Sequence, residues 1–196
     1  MGRKTRNWLD RAPRVAVANR AEWRAWLLAN HTLPQGIWLV FHKKHHRLHL
    51  PWRDIVQEAL CFGWIDSTKR RVDDDRSMLY VSPRRPGSPW SGLNKRHIVE
   101  ITEAGLMHPS GQARIDAARE DGSWTLLDDV EAMVLPPDLI AALDTRPGAR
   151  AAFDSFTPGA IRGLLWWIKS ARTASTRAAR IERTAVAAAD GRVANA

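Results

Sequence analysis

Three prolines and a glycine crowd the stretch from Pro83 to Pro89. Proline has no N–H to give to a helix or a sheet ladder and fixes its own φ, so regular structure cannot run through this segment. It divides the chain into two kinds of sequence: before it, short β-forming runs alternate with helical ones, and beyond it every periodic segment is helical. The expected fold is therefore α+β and mainly helical, with an α+β subdomain over 1–85 and a helical subdomain over 86–196.

In the first part, Asn19 and Glu22 have capping-box spacing, and Ala21, Trp26, Leu27 and Leu28 behind them predict a helix over 20–30. The run Ile37-Trp38-Leu39-Val40-Phe41, following the Pro34-Gln35-Gly36 turn, is too short for a helix and reads as a buried strand. Ile55, Val56, Ala59 and Leu60 give a second amphipathic helix, stopped by Gly63, with Asp54, Gln57, Glu58 and Cys61 on its other face. Ser67–Val72 and Ser77–Ser82 flank the turn tract Asp73-Asp74-Asp75-Arg76 as a hairpin. These runs predict a small antiparallel sheet of about three strands with two helices. Past the proline break, helices are expected from the Ser91 N-cap to Gly105 and over 109–120. Shorter ones follow at 128–133 and 139–144, then one from the Thr157-Pro158 cap to about 171 and a last one over 175–189.

Charge is distributed unevenly. Residues 1–100 hold 19 Lys and Arg against 9 Asp and Glu, a net of +10, whereas 101–168 sum to −5 and 169–196 to +4. Such a field attracts polyanions, anionic surfaces or phosphorylated small molecules. Ten tryptophans accompany one tyrosine, and indole beside arginine stacks on flat or cationic groups. Nucleic acid is thus one candidate partner and a small anion another; an interaction protein that sequesters a partner is a third class, its protein partner unknown. The first six residues are polar and basic with no apolar run behind them, no stretch is long enough to span a bilayer, and a single cysteine, Cys61, has no internal disulfide partner. The chain reads as cytoplasmic.

The best local candidate for a site lies at the junction of the two parts. Trp64, Asp66, Lys69, Arg84, Arg85, Trp90, Ser91 and Asn94 cluster there in sequence, with Arg70 and Arg71 nearby. Arginine forks and a helix start at Ser91 suit a phosphate or carboxylate, the indoles a flat group, and Asp66 and Asn94 directional hydrogen bonds. The alternative is that both indoles are core, Asp66 caps a turn and the arginines are solvated. His42, His45, His46 and His49 would share a metal only on a helix, whereas the preceding residues read as strand, so a solvated loop is expected and no metal. Asp73–Asp75 form a turn. Cys61 with Glu58, and Glu58 paired with Asp66, are the candidates for covalent or acid/base work. No Walker loop, dinucleotide fingerprint, HExxH or nucleophile elbow accompanies them. That pattern points to binding without catalysis and without a cofactor, an unfamiliar hydrolase-like enzyme being the remaining alternative.

Three stretches carry a resemblance: Glu58-Ala59-Leu60-Cys61-Phe62-Gly63-Trp64-Ile65-Asp66-Ser67, then Ser82 to Ser91 with Asn94-Lys95, and the helices from Phe153 to Ile181. With Asp121–Trp124 and Asp128–Glu131 between them, they resemble the YdeI/OmpD-associated, or bacteriocin-protection, family over roughly four-fifths of the chain. The resemblance implies a bacterial protein connected with resistance to bacteriocins or cationic antimicrobial peptides. It brings no catalytic residues to carry over. The porin connection in the family label is not expected to mean direct contact here, since no export signal is read.

Overall fold

In the computed structural model, which describes residues 7–194, a helical turn α1 (Asn7–Asp10) and a short strand β1 (Arg14–Ala16) precede the expected helix α2 (Arg20–Asn30) and strand β2 (Ile37–His42). Helix α3 (Trp52–Cys61), strands β3 (Trp64–Arg71) and β4 (Arg76–Pro83), and helices α4 (Gly92–Glu103) and α5 (Pro109–Glu120) follow. The sheet has four strands, in the order β1-β2-β4-β3, and it is mixed: β1 runs parallel to β2, and the other pairings are antiparallel. The expected three-stranded antiparallel sheet thus gains β1. Arg14-Val15-Ala16 is too short to show periodicity, and pairing with Trp38–Val40 alone makes it a strand.

One face of the sheet offers Ile37, Leu39, Phe41, Leu79, Val81 and Trp64 to a core completed by α2, α3, α4 and α5. The other offers Trp38, Val40, Met78 and Tyr80, packed with Leu9. Trp38 Nε1 donates to the Leu9 carbonyl at 2.6 Å, and the Arg70 guanidinium lies 4.7 Å from the Trp38 ring centroid. In α2 the Asn19 cap accepts from Glu22 N–H at 2.9 Å, as the spacing predicts, but the buried pair is Trp23 and Leu27, with Leu28 exposed.

Helix α3 departs furthest from expectation. Ile55, Val56, Ala59 and Leu60 are buried as predicted, but so are Gln57, Glu58 and Cys61, because α2, α4 and α5 pack against the helix as well as β3. A charged group inside a core needs partners. Glu58 is 1% exposed and receives Arg20 Nε at 2.6 Å and Arg24 Nη1 at 2.7 Å, while Arg24 Nη2 donates to the Leu106 carbonyl at 2.8 Å. Close approach of α5 requires Gly111, where a Cβ would stand 2.1 Å from the Cys61 carbonyl oxygen. Gly63, at φ +78°, turns the chain from α3 into β3 within two residues, and its carbonyl accepts Arg84 N–H at 2.9 Å.

The chain divides by contacts into two compact units, one ending at Thr125 and the other beginning at Leu126. The boundary expected at residue 85/86 lies inside the first of these, because Trp90, Ile98, Ile101, Ile115 and Ala118 belong to the sheet's own core. The second unit is helical: α6 (Asp128–Glu131), α7 (Pro137–Asp144), α8 (Ala149–Asp154), α9 (Pro158–Lys169) and α10 (Ala174–Ala189) enclose Leu139, Leu143, Phe153, Leu164, Ile168 and Ile181. Thr157 caps α9 by accepting from Ala160 N–H at 3.3 Å, as its sequence predicts. No helix of the described residues is long and apolar enough to cross a membrane.

Replacing Glu58 by Gln is expected to lower unfolding free energy by about 2 kcal/mol, short of the full cost of breaking a buried pair because Arg20 and Arg24 can turn to solvent; urea titration measures it. Gly111→Ala should cost about 3 kcal/mol in the same assay, since backbone must move to admit the methyl group.

Candidate functional site

Arg84 follows the last residue of β4 and is held between the Gly63 carbonyl and the proline-rich segment. Its side chain is 3% exposed, and the guanidinium carbon lies over the Trp90 ring, 3.5 Å from its centroid. Nη1 donates to the carbonyls of Pro89 at 3.1 Å and Ser88 at 3.3 Å. Nε and Nη2, the edge that makes parallel bonds to an oxyanion, have no hydrogen-bond partner. Burial pushes the guanidinium down to about 10, with the nearby Asp66 carboxylate opposing the shift. It is still charged at neutral pH.

Asp66 is half-buried on β3, just before the bulge that shifts the register between Asp66 and Lys69. Burial pushes its carboxyl above the ordinary range, while the Trp52 indole N–H, 3.3 Å from Oδ2, and the charges of Arg84 and His97 act the other way. His97 on α4 is 5% exposed. Its Nδ1 lies 3.3 Å from Glu100 Oε2, and Glu100 also receives Gln57 Nε2 at 2.6 Å and Arg53 Nη2 at 2.8 Å. The Trp52 ring stands edge-on to His97 at 6.4 Å. One carboxylate, Asp66, is thus bonded to Trp52 of α3 and lies within the fields of Arg84, just after β4, and His97 of α4.

The other residues singled out by sequence separate. Trp90 is 2% exposed, with Arg84 over its ring and Trp124 tilted against it at 5.2 Å. Trp64 is fully buried, donates Nε1 to the His31 carbonyl at 3.0 Å and meets Trp26 edge-on. Neither indole offers a face for a base or other flat ligand, which corrects the stacking expectation. Ser91 uses its hydroxyl to cap α4, accepting from Asn94 N–H at 3.2 Å, and Asn94 is buried one turn before His97. Arg85 is exposed at a small recess of about 30 Å³ that Arg84, Trp90, Arg114 and Asp121 also line, room for a water-sized group or two. Asp121 there accepts from the N–H groups of Gly87 and Ser123, which holds its carboxyl below the usual range. Lys69 does not join the group: it pairs with Leu79, five residues along β4 from Arg84, roughly 17 Å by strand rise. Its ammonium lies 6.0 Å from the Phe41 ring.

The candidates for covalent or acid/base chemistry are otherwise engaged. Both Glu58 oxygens are taken by arginines, so no Glu58–Asp66 pair forms. The Cys61 thiol is buried, and burial together with Glu58 pushes it up to about 11. His42 stacks on His46 at 4.0 Å, His45 Nε2 meets Asp75 Oδ1 at 3.1 Å, and His49 Nδ1 meets the His42 carbonyl at 3.1 Å. No three His, Cys, Asp or Glu side chains among the described residues are placed to share a metal ion. Much of the basic charge is bound within the fold as well: Arg70 pairs with Asp10, Arg76 with Asp73, and Arg177 forks onto Asp138 with both bonds at 2.8 Å. Arg180 and Arg183 lie on the Trp167 ring, each 5.2 Å from its centroid.

Sequence reading placed His97 merely on the repeating apolar face of α4 and missed it as a site residue. The signal available was its position, three residues after Asn94 and three before Glu100, which puts all three on adjacent turns of one stripe.

The first unit, with all eight candidate residues, falls within one sequence family. The chain belongs to the family described as a domain of unknown function (DUF8412), whose pattern matches residues 15–114. Residues 132–191, in the second unit, match the family described as Bacteriocin-protection, YdeI or OmpD-Associated. That likeness is narrower than the roughly four-fifths drawn from sequence, since the stretches around Glu58–Ser67 and Ser82–Lys95 lie in the other family's span. No curated protein and no solved structure matches the chain.

Alkylation of Cys61 by iodoacetamide is expected to be slow in the native protein and fast once it is unfolded. The native rate should keep climbing with pH past the ordinary thiol midpoint of about 8.5, toward about 11. A rate that levels off near neutrality would mark an activated thiol instead.

Proposed function

We propose that the first unit binds the anionic group of a small molecule at Arg84, without covalent chemistry. The observation that carries this reading is the unpartnered Nε/Nη2 edge of a guanidinium 3% exposed. A buried polar group left unpaired costs about 1–3 kcal/mol, and more when charged. Folds retain such a cost where a ligand offsets it, which is the usual conflict between stability and function. The contact over Trp90 and the two carbonyls on Nη1 hold the fork in place, so an arriving oxyanion meets donors already positioned. Arg85 and Arg114 at the recess add positive charge that favours an anion's approach.

The recess admits a terminal group rather than a whole base or sugar, so recognition rests on the anion and on what adjoins it. At the level of the family, the second unit connects this chain with bacteriocin protection. We take the protein to act in antimicrobial-stress protection by holding an anionic ligand inside the cell, a compartment that suits its one unpaired thiol.

Titration of the full chain with inorganic phosphate and with acetate, followed by calorimetry or by indole N–H shifts in NMR, tests this. At least one of the two should bind, and Arg84→Gln should weaken it by about tenfold or more, the worth of a charge-assisted hydrogen bond. Equal affinity in Arg84→Gln, with the variant folded by circular dichroism, would remove the proposal.

A further inference from the structure

The guanidinium edge of Arg84 does not by itself choose between anions, since carboxylate and phosphate oxygens both fit its fork. The residues that share its recess do choose. That space of about 30 Å³ is lined by Arg84, by Arg85, by Arg114 of α5 and by Asp121, so three arginines stand around it with one carboxylate. Arg114 is close to Arg84 through the backbone as well: its Cγ lies 2.6 Å from where a Cβ on Gly63 would stand, and the Gly63 carbonyl accepts Arg84 N–H.

Elsewhere in the first unit, arginines are answered by carboxylates of the fold: Arg20 and Arg24 by Glu58, Arg70 by Asp10, Arg76 by Asp73. The recess differs. Among the described residues neither Arg85 nor Arg114 forms an ion pair, and the Arg84 side chain bonds to the Ser88 and Pro89 carbonyls and to no carboxylate. Asp121 turns its oxygens to the Gly87 and Ser123 amides, at 3.0 and 2.8 Å, rather than to an arginine. The last turn of α5 borders the recess at Ala117 and Ala118, whose carbonyls are taken by the amides of Asp121 and Trp124. Three guanidinium groups against one carboxylate leave the lining at a net charge of +2. A monoanion offsets half of that excess, and a dianion offsets all of it.

Resting on the reading of Arg84 given above, we propose that the group bound in this recess is a phosphate dianion, with two oxygens on Arg84 Nε and Nη2 and the second charge stabilised by Arg85 and Arg114. A dicarboxylate spreads its two charges over more atoms than so small a space admits, whereas a terminal phosphate carries both on one group. Phosphomonoesters and free phosphate share this chemistry. Carboxylates, sulfate esters and the phosphodiesters of a nucleic-acid backbone carry one charge per group and are disfavoured. No bond is made or broken.

Methyl phosphate and dimethyl phosphate, titrated calorimetrically into the unmodified full chain, test the proposal. Both are tetrahedral at phosphorus. At pH 7.5, above its second ionisation at about 6, the monoester carries close to two charges and the diester one. Methyl phosphate is expected to bind about tenfold more tightly at pH 7.5, and at pH 5, where it is mostly a monoanion, the ratio should fall to about two or less. The arginines stay charged throughout, and Asp121, held below the usual carboxyl range, stays ionised. Protonation of Asp66, whose field reaches Arg84, strengthens anion binding as pH falls, opposite to the expected trend, and acts on both probes alike. Arg85→Gln and Arg114→Gln leave the fork in place and should each cut the ratio at pH 7.5 by about threefold. Inorganic phosphate separates the two sources: affinity matching methyl phosphate marks an ester whose carbon leaves through the mouth, and affinity about tenfold higher marks the free ion. Equal binding of monoester and diester at pH 7.5, or a preference that does not change with pH, overturns the proposal and leaves the Arg84 reading standing, as does binding of acetate alone. No binding by any of these probes ends both.

Discussion

Helix α3 packs against β3 and against α2, α4 and α5, and the polar organisation of the first unit follows from that enclosure. A helix with one wet face can leave glutamate and glutamine to water. Here Gln57 and Glu58 have no water to turn to, so each needs protein partners. Glu58 is met by Arg20 and Arg24 of α2, which ties the two helices together. Gln57 reaches Glu100, which in turn orients His97. The requirement to satisfy one buried helix thus reaches the imidazole of His97 on α4.

Arg84 obeys the same physics with a different outcome. It lies at the point where β4 ends and the proline-rich segment begins, a segment that makes no regular backbone ladder and so has free carbonyls to offer. Two of them hold Nη1, and Trp90 supports the guanidinium face. The remaining edge, Nε and Nη2, has no hydrogen-bond partner; Asp66 acts on Arg84 only through its field and receives the Trp52 indole, and Asp121 accepts the Gly87 and Ser123 amides.

The second unit has a different character. The arginines of its last helix are paired or stacked within it, Arg177 on Asp138 and Arg180 and Arg183 on Trp167, so that basic helix is bound into its own packing. The likeness to the bacteriocin-protection family resides here, while the candidate site resides in the span of unknown function. A chain whose family label and whose best chemical site fall in different units warrants testing each by its own assay.

Local signals in the sequence determined the elements themselves: the Asn19 and Thr157 caps, the β-forming run 37–41, the hairpin around Asp73–Asp75 and the proline break are short-range chemistry, and each appears where its residues place it. They also marked Arg84 and Asp66, because arginine and aspartate beside tryptophan near a break in regular structure are legible without a fold. What no local pattern carries is which helix faces are dry, and that depends on elements far apart in the chain meeting. Only the tertiary structure decided that α3 is buried on both sides, that Trp64 and Trp90 are walls rather than platforms, and that Lys69 lies well away from Arg84. It also decided that His97, indistinguishable in sequence from any histidine on an apolar stripe, ends with one nitrogen held by Glu100 and the other without a partner. Burial and pairing are properties of the packed whole, since desolvation is imposed by neighbours and not by the residue that suffers it.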